Sequence, residues 1–371
     1  MNESAPLIIA MQQRFLADWR AAGDHVPTPA DTAGFWAAAG EIGLLGALGP
    51  ESAGGLGEDA DFAFEFLRQW GEYAAPGPLI ATLVGGSALL PGTPFEPLLD
   101  GIADGSVRIA LPTVFPADGA PDRIVAREDA DGFRLDGHVP ILRDAPFATH
   151  IIFFAHAAPP AREDVLLCVA ADALPRSEPC FLLLDGAEAA ALRLSSVPVP
   201  RTGLLARGAA AESRWRAARD RMTAAVCCEG VGILRAMLEQ TVDYVRQRQQ
   251  FGKAIGSFQV VQHRMAEMLV EVELAHSLAL AALSRPETGV LASAAKIRIN
   301  RALRLVADQA VQLHGGIGTT QELALSRYFR RATAIQREFG TTASHYPRVE
   351  DMLAARLAIP AAAPAMQAVV R

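Results

Sequence analysis

A chain of 371 residues, 51% hydrophobic and 20% charged, has the composition of a globular protein with material for two or three cores. Its net charge of −7 is spread with no Lys/Arg cluster clear of neighbouring acids, so no nucleic-acid surface is expected. The longest apolar runs, such as that around residues 151–158, are too short to cross a bilayer, and residues 1–20 lack the basic-then-apolar pattern of a signal peptide; a cytoplasmic protein is expected.

From residue 3 to about 105 the pattern is helical, interrupted by Pro27, Pro29, Pro50, Pro76 and Pro78. In its middle, the glycines and Pro50 of residues 41–62, EIGLLGALGPESAGGLGEDADF, mark a loop joining two helices. Around Val107 the periodicity changes. Short apolar or alternating runs at 108–111, 123–126, 132–135, 151–154, 165–170, 180–184 and 191–194, separated by Gly, Asp and Pro, predict the strands of a small antiparallel domain. Helical spacing resumes near Ala209. The chain thus divides into helical residues 1–105, a β part at 106–205 and a second helical part at 206–371.

In that second helical part Val231, Leu234, Leu238, Val242 and Val245 recur at steps of three and four, which predicts a helix with one buried stripe. Val261, Met265, Met268 and Val272 repeat the pattern, with Ser257 placed to cap the first turn. Phe251 to Gly256 make a turn between them, so Arg246 and Arg248 end one helix and Gln259 begins the next. Such a junction suits an anionic, aromatic ligand: a guanidinium grips a pyrophosphate with paired hydrogen bonds, a phenyl ring covers a heterocycle and an amide bonds its edge. The same residues also have an ordinary reading, in which the arginines meet the negative end of a helix dipole and Phe251 packs in a core.

Ala295, Ile299, Ala302, Val306 and Ala310 predict another long helix, leading into Gln312-Leu313-His314-Gly315-Gly316-Ile317-Gly318, whose glycines free backbone amides for close approach to a phosphate or ring. A basic helix over 322–335, carrying Arg327, Arg330 and Arg331, a loop at 337–342 and a final helix complete the chain. Cys168, Cys180, Cys227 and Cys228 show no C-x-x-C spacing and are read as reduced packing residues. No histidine pair has ligand spacing, so no metal site is expected.

Residues 244–268, YVRQRQQFGKAIGSFQVVQHRMAEM, resemble the R-x-x-F-G-K-x-I-x-x-F-Q hallmark of the acyl-CoA dehydrogenase family through Arg248, Phe251, Gly252, Lys253, Ile255, Phe258 and Gln259. Residues 43–57 likewise resemble that family's N-terminal G-L-L-G-x-x-x-P-E-x-x-G-G-x-G segment. The resemblance implies an α+β, mainly α fold, with an N-terminal helical domain, a middle antiparallel β domain and a C-terminal four-helix bundle. It implies FAD as cofactor, with Arg248, Phe251, Gln259, Gln312, Gly315, Gly316 and Thr341 as contacts. In the family the Arg, Phe and Gln of the hallmark, and the Q-x-x-G-G-x-G run, reach the FAD of the neighbouring subunit.

Desaturating an acyl thioester requires a base for the α-proton while hydride leaves the β-carbon, and a carboxylate raised toward neutrality by an apolar pocket serves best. The family's two base positions fall here on Phe339 and Met222, neither of which takes a proton. Glu229, Glu338 and Asp220 are the nearby carboxylates, Glu229 foremost. Each also has an ordinary reading: Asp220 solvated, Glu338 paired with Arg337 or Arg330, Glu229 a buried partner of some arginine. The β part departs from the family as well. Where members carry T-E-P-x-x-G-S-D and W-I-T-N runs against the flavin, residues 111–122 read LPTVFPADGAPD and residues 139–145 read VPILRDA, with only Thr113 offering a hydroxyl near the first.

The half of a flavin site that a subunit builds for itself thus looks eroded, and the half it lends is retained. That asymmetry resembles the smaller, β-type chains of heteromeric acyl-CoA dehydrogenases in bacterial breakdown of steroid and other bulky acyl groups. It implies an acyl-CoA substrate, a second acyl-CoA dehydrogenase-like subunit in an α2β2 assembly, and electron-transfer flavoprotein as acceptor. Three alternatives stand beside it: an active homomeric dehydrogenase using Glu229 or Glu338, a flavin-dependent monooxygenase or oxidase on the same fold, and a scaffold without flavin.

Overall fold

Five helices open the computed structural model, which describes residues 4–21, 23, 25–57, 59–112, 124–159, 163–175, 180–285 and 289–357. They are α1 (Ala5–Ala21), α2 (Pro29–Glu41), α3 (Ala60–Glu72), α4 (Gly86–Leu89) and α5 (Leu98–Ala103). Thr28 and Asp31 close a capping box ahead of α2, with Pro29 at its first position. Asp59 caps α3 by accepting from the Asp61 and Phe62 amides at 3.1 and 3.0 Å. Their apolar faces meet edge to face, Phe35 on Trp70 at 5.4 Å and Trp36 on Trp70 at 6.3 Å between ring centroids. The glycine-rich run at 43–57 forms two short 3-10 turns, Leu45–Leu48 and Glu51–Ala53, between α2 and α3.

A mixed sheet follows, of β1 (Ile109–Ala110), β2 (Val125–Glu128), β3 (Gly132–Arg143), β4 (His150–Ala157), β5 (Val165–Ala170), β6 (Cys180–Leu182), β7 (Glu188–Pro200) and β8 (Leu204–Arg207). The strand order is β6-β7-β3-β2-β4-β5-β8, with β1 beside β4. The expected antiparallel pairing holds except that β1 and β2 both run parallel to β4. The run at 132–135 continues to Arg143 because register shifts between Leu135 and Gly137 and between Val139 and Leu142 absorb Pro140, which a regular ladder would not accept. Those shifts break the two-residue period, and for that reason the sequence reading stops the strand early. Strand β8 was not expected. Most of the run at 111–122, Thr113 included, lies outside the described residues.

The C-terminal helices are α6 (Gly208–Gln247), α7 (Gln259–Ser284), α8 (Val290–His314), α9 (Leu325–Ile335) and α10 (Thr342–Leu357). The 40 residues of α6 form the axis. It crosses α3 at backbone distance: a Cβ on Gly232 would lie 1.9 Å from the Arg68 carbonyl oxygen, and one on Gly71 would lie 1.9 Å from that of Glu229. On α8 the expected stripe Ala295, Ile299, Ala302, Val306 and Ala310 is buried throughout. Three local expectations change. Ser257 does not cap α7; its hydroxyl donates to the Ala254 carbonyl at 2.7 Å within a 3-10 turn, and Phe258 occupies the cap position. The basic helix begins at Leu325 rather than at residue 322. Cys168, Cys227 and Cys228 are buried, but Cys180 is exposed on the edge strand β6 rather than buried in a core.

Candidate active site

Sheet and bundle meet at a cavity of about 60 Å³ lined in part by Leu111, Arg143, Asp144, Glu229, Arg331 and Phe339. Three stretches far apart in sequence converge there: the start of the 111–122 run, the Arg143-Asp144 end of the 139–145 run, and Phe339. Met222 lies close by, since a Cβ on Gly85 would meet both its sulfur, at 3.0 Å, and Leu111 Cδ2, at 3.1 Å. Both positions where a base was sought are apolar and buried.

The polar groups at this seam are bound to one another. Arg331 grips Glu229 with two parallel hydrogen bonds, Nε to Oε1 at 2.6 Å and Nη2 to Oε2 at 2.8 Å. Its Nη1 also donates to Glu338 Oε1 at 2.6 Å and to Asp185 Oδ2 at 3.0 Å. Arg143 adds Asp185 at 2.9 Å, Glu338 at 3.2 Å and Asp144 at 3.5 Å. Two guanidiniums therefore face four carboxylates, a formal surplus of two negative charges when all are ionised.

That surplus falls unevenly. Burial pushes the Asp144 carboxyl up to about 6, and Asp185 and Glu338 push the same way against Arg143. For Asp185 and Glu338 burial also raises the carboxyl, but the two arginines outweigh it and hold both below the usual carboxylate range. Glu338 is thus an ion-pair partner of Arg331 and Arg143 rather than of Arg337 or Arg330. Glu229 is the buried arginine partner that its ordinary reading supposed. Asp220, expected to be solvated, is buried and held by Arg348 through two hydrogen bonds of 2.5 and 2.7 Å. Sequence reasoning passed over Asp144, Asp185 and the pairing role of Arg331. The available signal was the charged Arg143-Asp144 pair where the family carries a hydroxyl and an amide.

Backbone strain marks the same place. Ala74, Asp144 and Phe339 line the cavity with φ of 45°, 58° and 54°, values that cost a non-glycine residue on the order of 1 kcal/mol.

A second group gathers at one end of the bundle, where α6 ends, α7 begins and α8 ends. Arg248 is the exposed C-cap of α6. Gln249–Gln250 pairs with Lys253–Ala254 as a small hairpin, and the two turn residues, Phe251 and Gly252, both have positive φ, 55° and 77°. A phenylalanine in that turn is strained, and its ring is 91% exposed. The reading of Phe251 as a core residue is therefore replaced. Gln259 is the exposed first residue of α7, and Gln312 is exposed in the last turn of α8. Tyr244 ties the two ends together: it stacks on His314 at 4.3 Å between centroids and donates its hydroxyl to the His314 carbonyl at 3.2 Å. Arg248 lies one turn beyond Tyr244, and Gly315 and Gly316 follow His314 in open surroundings. Thr341 stands apart, in a groove along α8 with Asn300, Arg304, Gln309 and Arg337.

An α+β architecture with helices before and after a central mixed sheet, and a bundle end that presents arginine, aromatic, amide and paired glycines, defines the acyl-CoA dehydrogenase class of flavin oxidoreductases. The chain belongs to the acyl-CoA dehydrogenase family. Residues 214–367 match the model of the acyl-CoA dehydrogenase C-terminal domain. The chain is 27% identical over 326 residues to "Probable acyl-CoA dehydrogenase YngJ" of Bacillus subtilis, spanning 82% of this chain and 85% of that protein. It is 28% identical over 293 residues to "Acyl-CoA dehydrogenase IpdE2" of Mycobacterium tuberculosis, spanning 79% and 77%. Among solved structures it is similar to a "Tcur3481-Tcur3483 steroid ACAD" variant, with a TM-score of 0.83, 26% identity, and 96% of this chain and 99% of that one covered.

The two places differ in how they suit the FAD that the family implies. The bundle end fits: it offers an unburied guanidinium, an exposed ring and glycine amides in open space. The seam does not fit, because its donors are spent on buried carboxylates and its cavity is far below the ~300 Å³ that small-molecule sites begin at.

Proposed function

We propose that this chain is the non-base-bearing subunit of a heteromeric acyl-CoA dehydrogenase, lending the end of its bundle to an FAD held mainly by a partner chain of the same fold. The observation that carries the reading is Phe251, an exposed ring held at positive φ beside Arg248. Strain of that kind persists where a partner rewards it. FAD, when bound, supplies the hydride acceptor for α,β-desaturation of an acyl-CoA. The roles of this chain are to grip pyrophosphate through Arg248, to cover the ligand with Phe251, and to bond it through Gln259, Gln312 and the amides of Gly315 and Gly316. The partner contributes the base, in keeping with Phe339 and Met222 at the usual places. Likeness to the steroid enzyme, a pairing of two named chains, supports a bulky acyl-CoA as substrate and an unlike chain as partner; the reading is completed by electron-transfer flavoprotein as acceptor, an α2β2 assembly and a cytoplasmic setting.

Expressed alone, the chain is expected to be flavin-poor and inactive toward acyl-CoA. Co-expressed with a base-bearing partner, it should yield one FAD per pair of unlike chains, measured by absorbance after denaturation. A homomeric protein with one FAD per chain and dehydrogenase turnover overturns the reading and returns Glu229 and Glu338 as candidate bases.

A further inference from the structure

We propose that Arg331 and Arg143 decide which half-site of the assembly is live, because the network they organise fills this chain's own side of the flavin site and holds it shut. The inference rests on the reading of the chain as a flavin-lending subunit and supplies its physical cause.

The network bridges the two bodies that would have to part. Asp185, Arg143 and Asp144 belong to the sheet side, at the turn between β6 and β7 and at the end of β3; Glu229, Arg331 and Glu338 belong to α6, α9 and the residues just after α9. Arg331 reaches across, holding Glu229 on the bundle and Asp185 on the sheet at once. All three of its guanidinium nitrogens are engaged, so none is left to bond the edge of a ring. Opening the seam for a three-ring heterocycle separates these ion pairs while Asp185 and Glu229 side chains are only 3% exposed, leaving charges buried without counter-ions.

A second contact closes the seam independently. Gly186, next to Asp185, has φ of 87°, and a Cβ there would lie 2.5 Å from Val26 Cγ1 and 2.6 Å from the Pro27 carbonyl oxygen. The linker between α1 and α2 therefore presses on the turn that carries Asp185. Ala74, Asp144 and Phe339, the strained residues described above, ring the same cavity. Arg143 and Asp144, which stand where the family carries a hydroxyl and an amide against the flavin, are engaged instead within the network.

The test is amide hydrogen exchange on the full chain with and without saturating FAD, and separately with lumiflavin, the bare ring. The expected result is no change at 142–147 and 184–188 with either ligand. Slowing at those segments would overturn the proposal. The bundle-end segments, 248–259 and 312–318, report on the flavin-lending reading instead. If, in the complex with a base-bearing partner, they stay silent while the seam also stays silent, that reading fails and the closed seam stands. The combined variant Arg143→Thr, Arg331→Gln, Glu229→Gln, Glu338→Gln removes the ion pairs: both guanidiniums give way to shorter neutral side chains, and the two glutamines replacing glutamates keep their shape. Exchange at the seam should quicken at least tenfold, and seam rates equal to wild type would sink the idea. Should that variant not fold, the wild-type ligand experiment decides alone.

Discussion

Arg331 and Glu229, 102 positions apart, form a two-point ion pair at 2.6 and 2.8 Å that joins α9 to α6 at the floor of the sheet-bundle seam. Removing one member of a buried pair strands the other, at a cost of about 3–5 kcal/mol. Arg331→Ala leaves Glu229, Glu338 and Asp185 without their shared partner. Urea denaturation should show a stability loss in that range, and a loss under about 1 kcal/mol would mean that the network does not hold the seam.

Asp144 sets a pH dependence of unusual sign for a carboxylate. Its folded pKa, about 6, lies above the ordinary 3.8, so the fold binds its proton more tightly than the unfolded chain does. The penalty is absent at low pH, develops as pH rises from about 4 to about 6, and is complete above that. Asp185 and Glu338 act oppositely: their stabilisation is present above the ordinary carboxylate range and lost as pH falls through their lowered folded values. Asp144→Asn should therefore raise stability at pH 8 by on the order of 2 kcal/mol, with the gain vanishing by pH 4. A gain independent of pH would rule out titration of Asp144 as its source.

Phe251 separates folding from ligand binding. Because its ring is 91% exposed and its φ is 55°, Phe251→Asn gives up little packing and relieves turn strain. Melting temperature should hold or rise slightly. Flavin affinity of the assembled protein should fall about tenfold, equivalent to ~1.4 kcal/mol. Unchanged flavin affinity would assign Phe251 to the subunit contact alone.

Gly232→Ala tests the crossing that positions Glu229. The added methyl would sit 1.9 Å from the Arg68 carbonyl oxygen, so α3 and α6 must separate. A loss of roughly 2 kcal/mol or more is expected, with faster exchange at the seam because Glu229 moves with α6. A fall in Tm without any change at the seam would show that the crossing and the network are independent.

Much of this protein was legible in its residues taken in order. The three- and four-residue spacing of Val231, Leu234 and Val245, and of Ala295, Ile299 and Val306, records burial along one face of a helix, which is a local property. The turn at Phe251-Gly252 is local as well; the caps at Thr28 and Asp59 are also local but went unread, while Ser257, read as a cap, is not one. Local too is the apolar character of Phe339 and Met222, on which the expectation of a missing base rests. Bulges are not local in this sense: the shift around Pro140 exists only because β7 pairs with β3, and so the length of β3 stayed hidden.

What the tertiary structure alone decided is which charge meets which. Asp220 read as solvated and is gripped by a residue 128 positions away; Arg331 read as one of several basic residues on a helix and is the hub of a network whose members lie at 143, 185, 229 and 338. Periodicity shows that a segment faces an interior, but a buried charge takes whatever counter-ion the packing of other segments brings within 3 Å, and that distance is set by the fold as a whole.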